Sequence, residues 1–468
     1  MYIPLSRTLD QDFTVVHVAY SAHEEAKLRA AGIDAVINFK QQVALRLARS
    51  SLLDYALLER IDDLFITHTD GRFTLSGSIQ SDRGFSLLST EEALLMAQVY
   101  YDIWHGILHE HDVNYVMHEP VSLLMNHMCS VLCTARGALY LYQVMTAGPT
   151  DALSYLNIAG DNFYCPELVD AYARYVADPA LIDGPRCAAF LARFRSSFGV
   201  YLGGQIKTST SLLNLYLRSV RRRARRTLKL GKLDRLVDNI DYWDMQQDGP
   251  RERIGNLLQY RKRIEYDQFD PQRTYYYYSL HLEPEAVVLY LADGLYTNQT
   301  KLIENIAAQL PVDSVLYVKD HPHDNGYRSV ADYVRLKAIP NVKLLAPNLP
   351  GKLVMKDAVG VFTINGTAGF EALLLGKQVY TFGRTFYGAC PRVNYIHDIR
   401  ALRAVLYAKR GLCYSDDQAL LAFVMAYLVA LHIGMVDYFV GRATTYGVDL
   451  EQDIATIGRD FAAFAKTY

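Results

Sequence analysis

The stretch YVKDHP, residues 317–322, ends an apolar run on Lys319, Asp320, His321 and Pro322. Further on, FTINGTAGFEALLLG, residues 362–376, ends another on Asn365, Gly366 and Thr367 and continues into a helix-forming segment carrying Glu371. An ammonium, an imidazole and the open N–H groups of a helix start are groups that hold phosphate. Gly366 and Gly369 allow close backbone approach, while Asn365 and Thr367 bring capping oxygens or donors. Glu371, one turn past Thr367, offers an acceptor for ribose hydroxyls. Taken singly, a His-Pro after a strand is a plain turn, and a Gly-Thr helix opening is a plain cap. In this order, at successive strand ends, they describe a pocket for a nucleoside mono- or diphosphate, because ligands of open α/β sheets sit beyond the carboxyl ends of the strands.

Such loops need strands and helices to hold them, and the chain alternates both. In the front part, FTVVHVAY (13–20) and IDAVINF (33–39) are strand-like, with a helix over 23–31 between them. A long amphipathic helix follows STEE, with Thr90 as its cap, and runs to Glu110. VNYVM (113–117) is a strand that ends on His118, Glu119 and Pro120; a helix over 121–136 leads to ALYLYQV. From Arg273 the rhythm resumes with TYYYYSLHL, a helix over 297–309, SVLYVKDHP, NVKLLAP, AVGVFTI, a helix from Thr367 that stops at Gly376, and QVYTFG. This βαβ alternation predicts parallel sheets with helices on both faces. Residues 195–265 break the rhythm with charged helix formers.

Composition bounds the rest. The chain has 468 residues, 51% of them hydrophobic and 21% charged, which is globular and long enough for two domains or more. A net charge of −2 gives no global field that calls for nucleic acid. The six cysteines are scattered; Cys129 and Cys133 lie on one face of an apolar helix without a matching Cys/His pair, so they read as buried thiols in a cytoplasmic protein. No basic region followed by an apolar core opens the chain, and ALLAFVMAYLVALHIGMVDYF (419–439) reads as a buried helix. One region is locally cationic: Arg218, Arg221, Arg222, Arg223, Arg225, Arg226, Lys229 and Lys232. It reads either as a solvated helix face or as a surface for anionic lipid, with RNA as the weakest of three options.

LHLEPEA (280–286), QTKLIENIAAQLP, VLYVKDHP, NVKLLAP and TINGTAGFEALLLGKQVYTFGRTFY, as an ordered set, resemble the capsule polysaccharide synthesis glycosyltransferases. That group includes the bacterial β-Kdo transferases, which use CMP-Kdo. The resemblance covers 274–390 and reaches the front half only through its βαβ rhythm. It implies an α/β chain in the GT-B arrangement: two Rossmann-like domains with a helical insert and a helical C-terminal tail. Residues 1–195 would form the acceptor-side domain, 196–270 the basic insert, 271–410 the nucleotide-sugar domain and 411–468 the tail. It places His321, Pro322 and the turn of Asn365, Gly366 and Thr367 on the nucleotide, where the residues themselves add Lys319; Glu371-Ala372 and Gly383 to Tyr387 fit the same pattern, and a glycan or lipid-linked glycan is the acceptor. The chain departs from many relatives at Glu283, where they carry Gln, and Val287 and Val288 stand where some relatives carry a carboxylate.

Glycosyl transfer requires a held leaving group, a base for the acceptor hydroxyl and stabilisation of an oxocarbenium-like centre. For the base, the sequence offers Glu119 at the carboxyl end of VNYVM, with His118 as competitor; Glu119 is equally placed to cap the helix after Pro120. Glu285 and Asp293 form the alternative catalytic pair. No DxD-type pair stands at a strand end, so no metal and no cofactor beyond the donor are expected. The expectation is a cytoplasmic enzyme, peripheral to the inner membrane if the basic run binds lipid, that uses CMP-Kdo or another CMP-ulosonic acid. A transferase with a UDP- or other nucleotide donor and a catalytically silent scaffold of an assembly complex are the other two readings.

Overall fold

The computed structural model describes residues 2–9, 12–49, 52–85, 88–148, 154–196, 264–283, 285–321, 324, 326, 328–409, 417–434 and 449–468, with 217, 236–237, 255–256 and 258 besides. The basic run at 218–232, Pro322 and Cys413 lie outside the described residues. Two compact units form, one of Met1–Glu167, Lys229–Met245 and Leu428–Tyr468, the other of Leu168–Leu228 and Gln246–Tyr427. These divisions differ from the compositional ones. The last segment joins the first unit because its helix Leu450–Thr467 packs on helix Tyr2–Leu9, and its strand His432–Ile433 pairs into that unit's sheet.

The second unit is built on six parallel strands: β6 (Tyr275–Ser279), β7 (Val315–Lys319), β8 (Val342–Leu345), β9 (Gly360–Thr363), β10 (Gln378–Thr381) and β11 (Val393–Tyr395). They lie in the order β8-β7-β6-β9-β10-β11. By order of appearance this is 3-2-1-4-5-6, the doubly wound arrangement whose ligand crevice opens where the first and fourth strands separate. The tyrosine run explains why β6 is central. A parallel sheet covered on both faces needs apolar bulk on both sides of the strand. Tyr276 and Tyr278 face one core with Leu316, Val318 and Phe362, while Tyr275 packs edge-on to Phe269 and Tyr317. Buried hydroxyls find partners: Tyr275 donates to Val354 O at 2.7 Å and Tyr278 to Gln299 Oε1 at 3.3 Å.

The first unit departs from a uniform parallel rhythm. β1 (His17–Ala19) and β2 (Val36–Asn38) pair in parallel, as do β3 (Tyr115–Met117) and β4 (Leu139–Thr146). β5 (Ser154–Ala159) instead returns antiparallel to β4, and β12 (His432–Ile433) lies antiparallel to β5. The link from β4 to β5 is too short for a crossover helix, which forces the reversal. The long helix Thr90–Glu110 is capped one residue earlier than expected, by Ser89. The Ser89 hydroxyl accepts from the Glu92 N–H, and the Glu92 carboxylate accepts from the Ser89 N–H. Helix Leu124–Arg136 buries Cys129 and Cys133 as free thiols and stops at Gly137, whose φ of 74° is left-handed. The apolar stretch near 419 is the buried helix Gln418–Ala430; among the described residues no helix is long and apolar enough to cross a membrane.

Candidate nucleotide-binding site

β6 and β9 part at the switch point, and the residues just past their ends meet there. His281, two residues beyond β6, is buried, with its Nε2 3.1 Å from Thr363 Oγ1 and accepting the Ile364 N–H at 3.2 Å. With Nε2 an acceptor, the neutral ring carries its proton on Nδ1. Burial first, then the nearby charges of His321 and Arg328, push His281 down to about 3. It is therefore an uncharged post under the β9 loop. An added Cβ at Gly366 would stand 2.5 Å from His281 Cε1, so only glycine fits. Tyr387 donates its hydroxyl to Gly366 O at 2.7 Å, and the Gly366 N–H donates to Thr363 Oγ1 at 3.0 Å. Gly369 is crowded in the same way by the Tyr387 hydroxyl and Thr363 Cγ2.

Helix Thr367–Leu374 thus starts from a turn pinned on both sides. Its N-cap is Gly366, and no side chain caps it. The open N-terminal N–H groups and the positive end of the helix dipole mark an anion position. A second observation points the same way. Asn365 is only 5% exposed, yet its carboxamide oxygen and nitrogen have no hydrogen-bond partner among the described residues. A buried amide without a partner costs about 1–3 kcal/mol, which a ligand at this spot would relieve.

The β7 exit adds cations. Lys319 is 6% exposed and donates to Asp320 O at 3.2 Å; burial lowers its pKa, while Asp320 and Glu371 oppose that shift. Asp320 is occupied by Tyr266 and Tyr333 and accepts the His321 N–H, so it shapes the turn. His321 is half-buried and close enough to His281 to lower that ring's pKa, which joins the β7 loop electrostatically to the Gly366 turn. Glu371 stands about one turn into the helix. Burial raises its carboxyl to about 7, against the pull of Lys352 and then Lys319.

The loop after β6 is held by a buried network. Gln299 donates to His281 O at 3.0 Å and to Glu283 Oε1 at 2.7 Å, and Arg328 bridges Glu283 at 3.0 Å and His281 O at 3.1 Å. Glu283, with Asp324 at 3.7 Å, thus balances the buried charge of Arg328. Glu285 opens the short helix Ala286–Leu289 through its carbonyl, which accepts from Val288 and Leu289. Asp293 takes a left-handed φ of 57° in a loop whose Leu291 carbonyl accepts the Arg384 N–H beyond β10. Asn365, Gly366 and Thr367 share one turn, Lys319 interacts electrostatically with Glu371, and His321 does so with His281, which lies against Gly366. Asp293 sits toward β10, and Pro322 is outside the described residues.

In the first unit, His118 Nδ1 accepts the Glu119 N–H at 2.6 Å, and Tyr140 donates to Glu119 O at 2.7 Å. His118 stacks on Tyr140 and meets the edge of Trp104, and burial pushes it down to about 4. Tyr20, just past β1, has its phenol raised by burial and then by the charges of Glu119, Tyr100 and Asp82. Buried Asp82, pushed up to about 6 by burial, accepts N–H groups from Leu124 at 2.6 Å and Gly84 at 2.7 Å.

His281, Lys352, Tyr20 and Asp82 escaped the sequence reading, whereas Tyr387 closes the motif set that carries the family resemblance. His281 was within reach, since it follows a strand end just as His321 does. Tyr20 also closes a strand-like run, FTVVHVAY, whereas Lys352 and Asp82 stand at no strand end that periodicity singles out.

Comparison with known proteins gives this arrangement a context. Residues 258–390 match the family model described as capsule polysaccharide biosynthesis protein. Protein FixF of Sinorhizobium fredii is 37% identical over 116 residues, 25% of this chain and 27% of that one. The capsule polysaccharide modification protein LipB of Neisseria meningitidis is 28% identical over 94 residues, 18% of this chain and 22% of that one. The chain thus spans about a quarter of the length of these curated relatives. Among solved structures, the β-Kdo 2,7-transferase KpsC of Thermosulfurimonas dismutans covers 77% of this chain and 89% of its own, at 13% identity and a TM-score of 0.33, a superposition too loose to carry function. The two α/β units, one of them doubly wound, are the parts from which GT-B chains are made. Over residues 258–390, the chain is thus similar to the capsule polysaccharide biosynthesis proteins.

Proposed function

We propose that the chain is a glycosyltransferase of bacterial surface-polysaccharide assembly whose nucleotide-sugar donor binds at the β6/β9 switch point. The donor in this reading is a CMP-activated ulosonic acid such as Kdo, and the acceptor a glycan or lipid-linked glycan. The observation that carries it is the unpartnered Asn365 carboxamide at the uncapped start of helix Thr367–Leu374. Lys319 and the half-buried His321 add positive charge or donors for a leaving phosphate, and Glu371 an acceptor for ribose hydroxyls. In the transfer, the bond from the anomeric carbon to the phosphate oxygen breaks and a bond to the acceptor oxygen forms. The nucleotide keeps the electron pair, and the acceptor's proton passes to a base. Glu119 is our choice for that base, since the low pKa of His118 makes it a weak one at neutral pH. The match to the capsule polysaccharide family over 258–390 supports the polysaccharide context.

Titration calorimetry with CMP, UDP and GDP tests the reading. Preference for CMP supports it; preference for UDP or GDP moves the donor class; and failure of all three to bind removes the enzyme reading in this form. The basic run at 218–232 is proposed to hold the enzyme on an anionic membrane at ~1 kcal/mol per basic residue near the surface. Unchanged co-sedimentation with anionic-lipid vesicles after neutralising the run would remove that part.

A further inference from the structure

Lys352 belongs to no motif, yet it is among the most enclosed cations of the second unit, at 7% exposure. It sits in the short helix Gly351–Met355, which packs on helix Thr367–Leu374. Its Nζ donates to Phe194 O at 3.1 Å and stands 3.7 Å from the centroid of the Phe194 ring. Phe194 lies in the last turn of helix Gly184–Ser196, so the ammonium occupies the negative end of that helix and the face of an aromatic ring together. The next residue, Arg195, donates to Leu374 O at 2.8 Å and ties the same helix end to the end of helix Thr367–Leu374. Lys352 is thus fixed by a backbone carbonyl, a ring and a strapped helix.

Helix Gly351–Met355 packs on helix Thr367–Leu374, and across that contact Lys352 interacts electrostatically with Glu371. The Glu371 side chain is half-buried and makes no hydrogen bond or ion pair among the described residues. Its electrostatic neighbours are Lys352 from helix Gly351–Met355, Lys319 from the end of β7 and the Tyr277 phenol from β6. β9 carries no ionisable side chain, and the β10 phenol, Tyr380, packs with Phe362 in the opposite core. Arg195 is engaged with Leu374 O.

We propose that Lys352 is a positioning residue of the nucleotide pocket: seated on Phe194, its ammonium keeps the partnerless Glu371 carboxylate ionised, as a ribose diol requires of its acceptor. This rests on the second-unit pocket being a nucleotide site. Burial alone drives the Glu371 carboxyl toward its neutral acid, which would accept ribose hydroxyl bonds poorly, and Lys352 is the strongest opposing charge.

The test is CMP binding by calorimetry from pH 6 to 8.5 on the whole chain and on Lys352→Met, Lys352→Arg and Glu371→Gln. In the unaltered protein, affinity rises as Glu371 ionises around pH 7, on top of a rise from the phosphate of CMP itself. Glu371→Gln retains only the second rise. Lys352→Met moves the Glu371 limb to higher pH, weakening binding about fivefold at pH 7 for a one-unit shift and less above pH 8. Lys352→Arg restores the original limb. A Lys352→Met curve that overlays the original, or is displaced in affinity with its limb unmoved, overturns the proposal. Should Lys352→Met not fold, Glu371→Gln decides: a limb near pH 7 that survives in it overturns the proposal equally. An unaltered protein that binds no nucleotide at any pH instead overturns the pocket itself, a separable failure.

Discussion

Two helices that each follow a strand exit behave in opposite ways. In the first unit, helix Leu124–Arg136 follows the β3 exit, and side chains take the N–H groups at its entry. Asp82 accepts the Leu124 N–H, and Asn126 Oδ1 accepts those of Ser122 at 3.1 Å and Leu123 at 2.9 Å. In the second unit, helix Thr367–Leu374 follows the β9 exit, no side chain caps it, and buried Asn365 beside it lacks a partner. The charges differ in kind: acids and a phenol interact at the first exit, around Glu119, Asp82 and Tyr20, whereas Lys319 and Lys352 oppose the lone carboxyl of Glu371 in the second unit. A strand-to-helix exit is therefore not an anion site by topology alone. On the proposed reading it becomes one where the helix start is left without a side-chain cap and cations stand nearby.

The proposed function puts nucleotide binding at the second exit and proton transfer at the first. Replacing Glu119 with Ala should lower turnover by ~10²–10⁴-fold, the usual range for a general base, with nucleotide affinity unchanged. His321→Ala should do the reverse at the binding step, weakening CMP by about tenfold to a hundredfold, as the loss of one charge-assisted contact does. Turnover assays paired with calorimetry separate the two, and full activity in Glu119→Ala removes that residue as base.

A glycine from each unit sharpens the contrast. In Gly366→Ala the new methyl collides with His281, and either the imidazole or the turn must shift. Overpacking of this kind costs ~1–3 kcal/mol, expected here as a tenfold to hundredfold loss of CMP affinity. Gly137→Ala meets nothing within 4 Å but is forced to hold a φ of 74°. It should lower stability by about 1 kcal/mol and leave CMP affinity unaltered. Equal loss of affinity in both would mean that global destabilisation, not the Gly366 turn, sets binding.

Much of the second exit was legible because its polar residues stand immediately after strands, where period-2 apolar runs stop. Lys319, His321 and Asn365 to Thr367 were readable on that ground. Lys352 was not, since its meaning comes from Phe194, far away in sequence, and no local pattern links the two. The cap at Ser89 rather than Thr90 shows the usual one-residue blur of helix ends. The antiparallel β5 was hidden because a short buried strand without an intervening helix resembles any other apolar run. β12 was hidden because a two-residue strand has no period to read.

Protonation extends the contrast to stability. In the first unit, His432 sits between Glu167, 3.0 Å from its Nε2, and Asp460, 3.3 Å from its Nδ1. Although burial alone would lower it, hydrogen bonds to the two acids lift it to about 9. Its stabilisation is therefore complete below its unfolded value near 6.5 and fades as pH rises through 9. Glu371 is an acid raised from 4.5 to about 7, so its ionisation progressively costs stability as pH climbs from about 4.5 through 7. Denaturant titrations should show His432→Gln losing about 1–3 kcal/mol at pH 6 and much less at pH 10. Glu371→Gln should be near neutral at pH 4 and gain about 1–3 kcal/mol at pH 8. A Glu371→Gln variant less stable at pH 8 would mean that Lys352 and Lys319 outweigh burial.

The smallest effect isolates the cost of an uncapped helix start. Ser89 caps helix Thr90–Glu110 through a reciprocal box with Glu92. In Ser89→Ala the Glu92 N–H loses its acceptor, and the helix starts as bare as helix Thr367–Leu374 does. Host studies of such caps put the loss at ~1 kcal/mol, and Ser89→Gly should lose only a few tenths. Thermal or denaturant unfolding reads both, while CMP affinity stays where it was. A loss of that size would mean that helix Thr367–Leu374 forgoes a comparable stabilisation when no ligand fills its N-terminus. CMP should then raise the unfolding midpoint of the intact protein, and raise it less in His321→Ala. If saturating CMP leaves the midpoint unmoved, the bare helix start at Thr367 is a packing compromise, and the contrast between the two exits loses its functional meaning.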